Sequence, residues 1–213
     1  MNHSKTRTLV QLSLLAALIV MLASVPYIGY IRLPVLAMQA TTIHIPVIVG
    51  SILLGPKCGG ILGFVFGLTS LINATTQPGI TSFCFSPFIE MGPGLGGSPL
   101  ALVVCFVPRI ICGIVPHYVY QGLQRLSRRP EKARKYSLLA AGVAGSLTNT
   151  VLVMGFIYLF FGHAFAAAHQ IAFEAVMGVI LSVVFINGTL EAIIAAVIAT
   201  AVTTAMLHTR LFK

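Results

Sequence analysis

The chain has no Asp and no Trp, and only four acidic residues, Glu90, Glu131, Glu174 and Glu191, among 213 positions. The missing Asp removes DxxD-type metal sites, and the missing Trp removes the best ring for stacking a flat ligand. Charged residues make up 8% of the chain, against roughly a quarter in soluble domains. Hydrophobic residues make up 57%, and the mean hydropathy is +0.98. A water-soluble globule is thereby excluded in favour of an integral membrane protein. A net charge of +9 raises nucleic acid as a partner, yet no soluble segment exists to carry such a surface. The basic residues read instead as orienting the protein in the lipid bilayer. Cysteine is scarce too. Cys58, Cys84, Cys105 and Cys112 form no CxxC and have no His at metal-ligand spacing, so no metal site is expected.

Six apolar segments can be drawn, at 9–26, 38–54, 58–74, 100–123, 137–161 and 173–207. A helix needs about 20 residues to cross about 30 Å of hydrocarbon. The second and third segments sit near the lower limit, and the sixth is long enough to tilt or project. Lys5 and Arg7 before an apolar run resemble a secretory signal. That run is longer than a usual signal core, so an uncleaved first helix is expected. Six crossings put both termini on one side. Eleven of the thirteen basic residues then share a face: Lys5, Arg7, Lys57, the six of the 125–135 loop, Arg210 and Lys213. Such a bias marks that face as cytoplasmic. The expected architecture is an all-α integral membrane protein with six transmembrane helices, both termini cytoplasmic, forming one domain over 1–213.

Small residues mark where helices approach closely. Gly59, Gly63 and Gly67 recur every four positions, a pattern that serves helix packing. Ser13 and Ala17 form a weaker small-xxx-small pair on the first helix. That face suits internal packing or docking on another membrane subunit. The loop 73–99 is long and carries Phe83, Phe85, Ser86, Phe88 and Ile89. A connection of that length is more often a binding loop than a spacer, and its aromatics predict that it folds back over the mouth of the bundle.

Two charges cannot reach water: Arg109 and Glu191 both lie within apolar runs. An ionisable group at bilayer depth is costly, so it faces a partner, a cavity or a ligand. Thr148 and Asn149 lie mid-way along the fifth segment, and Asn187 and Glu191 share a helix face in the sixth. Taken singly, each is equally well an inter-helix hydrogen-bonding residue. Together they predict a polar pocket, with Arg109 as the partner of a carboxylate through two parallel hydrogen bonds. Glu191 is expected behind Arg109, since it would repel a carboxylate ligand. Gln39, Thr42 and His44 add polar groups at the outer end of the second segment. His44 reads first as a packed residue.

The stretches Leu53-Leu54-Gly55-Pro56-Lys57, Gly67-Leu68-Thr69-Ser70-Leu71-Ile72, Phe85-Ser86-Pro87-Phe88, Val107-Pro108-Arg109-Ile110 and Gly145-Ser146-Leu147-Thr148-Asn149-Thr150 occur in that order. With Asn187-Gly188 and Glu191-Ala192, they resemble the substrate-binding S components of energy-coupling factor (ECF) vitamin transporters, most of all the pantothenate type. Leu190 departs from the pattern, where Pro is expected. The resemblance implies a vitamin site in the outer half of six helices, roofed by the first and third outer loops. It implies a bacterial cytoplasmic membrane protein with no ATPase or cofactor of its own, using ATP through partners. Those partners would be a membrane scaffold (T component) and two cytosolic ECF ATPases, with Ser13 and Ala17 touching the scaffold. Expected ligand contacts are Arg109, Asn149, Asn187, Glu191, Thr148, Phe83, Ser86, Gln39 and Thr42. Pantothenate, with one carboxylate, one amide and two hydroxyls, suits Arg, Asn and Thr better than a flat aromatic vitamin does. Folate or another vitamin stays open. So does an ion-coupled carrier gated by Arg109 and Glu191, although no inverted repeat supports one. An intramembrane hydrolase using Ser146 or Ser70 with His44 lacks a GxSxG elbow.

Overall fold

The computed structural model describes residues 3–25, 29–33, 38–92, 96–127 and 130–208, with backbone alone for 3–4, 30–33, 38–40 and 130. Five helices are long and apolar enough to cross a membrane. They are α1 (His3–Ser24), α3 (Pro56–Thr76), α4 (Leu100–Leu126), α5 (Pro130–His169) and α6 (Phe173–His208), and α2 (His44–Leu54) is shorter. Between α1 and α2 lies an antiparallel hairpin, β1 (Tyr30–Leu33) with β2 (Met38–Thr41).

This hairpin corrects the second expected span. Residues 38–54 are not one helix, because the run is a four-residue strand followed by an eleven-residue helix. Hydropathy is blind to that change of period: α2 is strongly apolar, and β2 only alternates Met38 and Ala40 with Gln39 and Thr41. Four strand residues advance about 13 Å and eleven helical residues about 17 Å. Their sum is close to the hydrocarbon thickness of about 30 Å. α2 alone is thus shorter than a full crossing.

Glycine shapes the next two elements. Gly55 closes α2 at φ +94°, and Pro56 starts α3 at its first turn. A left-handed residue there favours glycine, and proline loses nothing where its missing N–H has no helical partner. α3 then presents Gly59, Gly63 and Gly67 to α4. A Cβ on Gly59 would strike the Gly113 carbonyl oxygen, and one on Gly63 the carbonyl of Arg109. The four-residue glycine repeat therefore serves internal packing. The Cys105 thiol donates to the Gly67 carbonyl at 3.1 Å across the same contact. Cys84, in the loop after α3, is fully buried, and burial pushes its thiol well above the usual range. It is an inert packing group.

α5 and α6 are the longest elements, with 40 and 36 residues, or about 60 and 54 Å at 1.5 Å per residue. Both exceed the hydrocarbon thickness, so the expected segment 137–161 marks only the middle of α5. At one end they pack on the 77–99 loop, burying Phe83, Phe161, Phe165, Val176 and Ile180. At the other end Ile52 and Leu53 of α2 cluster with Val119 of α4, Leu138 of α5 and Ala199 and Met206 of α6. The α2–α3 turn with Lys57, the α4–α5 junction and the end of α6 therefore lie together. α1 stands at the edge. It buries Leu15 and Ile19 against α2 and α3, while Ser13, Leu14, Ala17 and Leu18 are exposed. Arg128, Arg129, Arg210 and Lys213, which the charge-bias expectation used, lie outside the described residues.

Candidate ligand-binding site

Four helices line a common interior cavity of about 100 Å³, three of them with a short stripe and one with a single residue. On α6 the stripe is Val183, Asn187 and Glu191 at four-residue steps, and on α3 it is Phe66, Ser70 and Asn73. α5 contributes Asn149, Thr150, Val153 and Met154, and α4 contributes Arg109. Residues three and four apart share a helix face, so each stripe is legible in the sequence once one member is known. Thr41 at the end of β2 and Thr81, Ser82 and Phe85 of the 77–99 loop close the cavity. The expectation that this loop folds back over the mouth holds.

Arg109 owes its posture to the residue before it. Pro108 has no N–H, so the carbonyl of Val104, four residues earlier, loses its helical partner. The Arg109 Nη1 donates to that oxygen at 2.7 Å. The guanidinium carbon lies 5.5 Å from the Phe66 ring centre and 5.1 Å from that of Phe85. Both distances are within cation–π range, about 6 Å. A positive charge is thereby held without neutralising it. Arg109 is only 6% exposed, yet its Nε has no hydrogen-bond partner.

Glu191 is engaged on both oxygens. The Thr41 backbone N–H donates to Oε1 at 2.7 Å, and the Thr150 hydroxyl donates to Oε2 at 3.2 Å. The carboxylate therefore pins the hairpin to α6 and α5. Arg109 and Glu191 face the same cavity, but among the described residues neither forms an ion pair with the other. The Oδ1 of Asn149 is also buried and unpartnered. Buried polar atoms nearly always have partners. Two orphans of opposite character, a guanidinium N–H and an amide oxygen, thus mark where a ligand with an acceptor and a donor fits.

The structure sorts the expected contacts. Arg109, Asn149, Asn187 and Glu191 line the cavity. Thr148 does not, because one helical step of 100° turns it away, and Thr150 faces the cavity instead. Phe83 packs edge-on against Phe161 at 6.0 Å in the apolar cluster, leaving Phe85 to cover Arg109. Ser86 shares a 2.8 Å hydrogen bond with Thr75 and anchors the loop, while Ser82 lines the wall. Thr42 falls outside the lining, where Thr41 stands. Gln39 pairs with Arg32 in the hairpin register, and its side chain lies outside the described residues. Phe66, Ser70 and Asn73 were not anticipated, although their three- and four-residue spacing was a usable signal. His44 is fully buried and neither ring nitrogen has a hydrogen bond, so it activates neither Ser146 nor Ser70.

A polar, partly unsatisfied cavity inside a bundle of membrane-length helices defines a small-molecule-binding membrane protein. Comparison with known families narrows this. Residues 7–203 match the model for the ECF transporter, substrate-specific component. The chain belongs to that family and is a multi-pass protein of the bacterial cytoplasmic membrane. It is 43% identical over 124 residues to the pantothenic acid transporter PanT of Lactococcus lactis subsp. cremoris, a match covering 58% of this chain and 59% of that protein. It is 28% identical over 163 residues to the pantothenate transporter PanT of Leuconostoc mesenteroides subsp. mesenteroides, covering 75% and 70%. The chain thus spans about three fifths of the Lactococcus protein's length in the matched region.

Proposed function

We propose that this protein captures pantothenate at the outer face of the membrane and delivers it through an ATP-driven energising module. The observation that carries the reading is the pair of orphaned polar atoms, Arg109 Nε and Asn149 Oδ1, in one cavity. The guanidinium takes the carboxylate. Asn149 accepts a hydrogen bond from a hydroxyl or the amide N–H, and Asn187, Ser70 and Ser82 serve the remaining polar groups. Phe85 and Phe66 shield the ion pair from water, which strengthens it. Glu191 stays off the carboxylate and holds the hairpin as part of the roof. The names of the two relatives support the substrate.

The topology that suits this role has six crossings with both termini cytoplasmic, the second made by β2 and α2. Its support is the grouping of Lys57, the basic α4–α5 junction and the end of α6 at one end of the bundle. The energising partners are a membrane scaffold and two cytosolic ATPases, with Ser13 and Ala17 of the exposed α1 face touching the scaffold. No cofactor is needed by this subunit. Calorimetric titration of the purified protein with a vitamin panel tests the reading. Saturable pantothenate binding is expected, and tighter binding of folate or another vitamin would replace the substrate.

A further inference from the structure

A second concavity of about 820 Å³ lies between the first turns of α5 and the last turns of α6. That volume falls within the roughly 300–1,000 Å³ of small-molecule sites. Its walls are graded along the helices. Farther from the helix ends the lining is Leu139 of α5 with Val197, Thr200 and Ala201 of α6, mostly apolar. Toward the helix ends the lining becomes Arg134 and Lys135 on α5 and His208 on α6. Glu131 is the one acid in the lining, and the nearby exposed Lys132 adds a further positive charge. From Val197 to His208 is eleven residues, about 16 Å of helix.

We propose that this groove binds an anionic phospholipid, with the headgroup at Arg134 and Lys135 and the upper acyl chain along Leu139, Val197 and Ala201. An apolar trough opening onto a cationic mouth has the polarity order of such a lipid, and a soluble anion has no use for the trough. Basic pockets between membrane helices are suited to anionic headgroups. The ligand cavity shares no residue with this groove. The inference rests on membrane embedding alone and not on the identity of the transported molecule.

The test is native mass spectrometry of the detergent-solubilised full chain with equimolar phosphatidylglycerol and phosphatidylcholine of matched acyl chains. The proposal predicts roughly tenfold preferential retention of phosphatidylglycerol, since each basic contact near a membrane surface is worth a several-fold gain. The double variant Arg134→Gln/Lys135→Gln abolishes the preference, and Ala201→Phe, which fills the trough, lowers retention. Lys132→Gln, outside the lining, lowers the preference less than loss of either Arg134 or Lys135 does. Thermal unfolding of each variant reports its folding, and Ala201→Phe stands as an independent arm should the double variant fail to fold. Equal retention of the two lipids would overturn the proposal, as would a preference that survives the double variant. So would an Ala201→Phe variant that keeps its lipid but loses a copurifying chain, which would make the groove a protein seat.

Discussion

Arg109 and Glu191 are both buried charges, yet their environments give them opposite jobs. Arg109 has one hydrogen bond, to a carbonyl that Pro108 sets free, and a bare Nε. Its remaining capacity is available to a ligand. Arg109→Lys keeps the charge and loses the planar fork, so carboxylate affinity should fall at least tenfold in a titration. Glu191 accepts one hydrogen bond on each oxygen, from Thr41 and Thr150. Removing a hydrogen-bonded charged acceptor costs about 1.5–3 kcal/mol. Glu191→Ala should therefore raise amide exchange at residues 38–42 by tenfold or more, measured by hydrogen–deuterium exchange. Glu191→Gln, which keeps an acceptor for the Thr41 N–H, should raise it far less. Unchanged exchange in the Ala variant would remove the latch role. At this scale the sequence revealed which charges matter, because an ionisable residue in an apolar run has few explanations. Choosing Thr148 over Thr150, or Phe83 over Phe85, was not decidable there, since neighbours on a helix or in a loop are alike in type and differ only in direction.

The elements owe their spacing to glycine. Gly63 meets the Arg109 carbonyl directly, whereas the nearest atom to a Cβ on Gly60 is 3.6 Å away on the Ile114 side chain, an ordinary contact. Gly63→Ala should therefore push α4 away and carry Arg109 with it. Overpacking of this kind costs about 1–3 kcal/mol, or a fall in Tm of roughly 2–4 °C per kcal/mol for a chain of this size. Gly60→Ala should hold or slightly raise the thermal midpoint, and an equal fall in both would contradict the helix contact. The glycine repeat and the long sixth helix were legible from spacing and hydropathy, whereas the fifth, expected at 137–161, extends well beyond that segment at both ends. The hairpin was not legible. Residues 38–41 are too few to establish a period of two before the helical period begins at His44, so a strand and a helix merge into one segment.

On the scale of the whole molecule, the cavity, the exposed α1 face and the basic end are separate surfaces. Ser13 and Ala17 are exposed, and among the described residues none of the cavity lining comes from α1. Ala17→Leu should leave ligand affinity within twofold while abolishing copurification with the scaffold subunit. Loss of ligand binding would show that α1 supports the cavity instead. The proposed function depends above all on Arg109 receiving the carboxylate of pantothenate. The direct measurement is a paired titration of the wild type and Arg109→Ala with pantothenate and with the analogue whose carboxylate is replaced by an alcohol. Truncating one partner of a buried charge pair costs about 2–5 kcal/mol. The substitution should thus weaken pantothenate by thirtyfold or more and the alcohol by only a few-fold. Equal losses for the two ligands would contradict the claim.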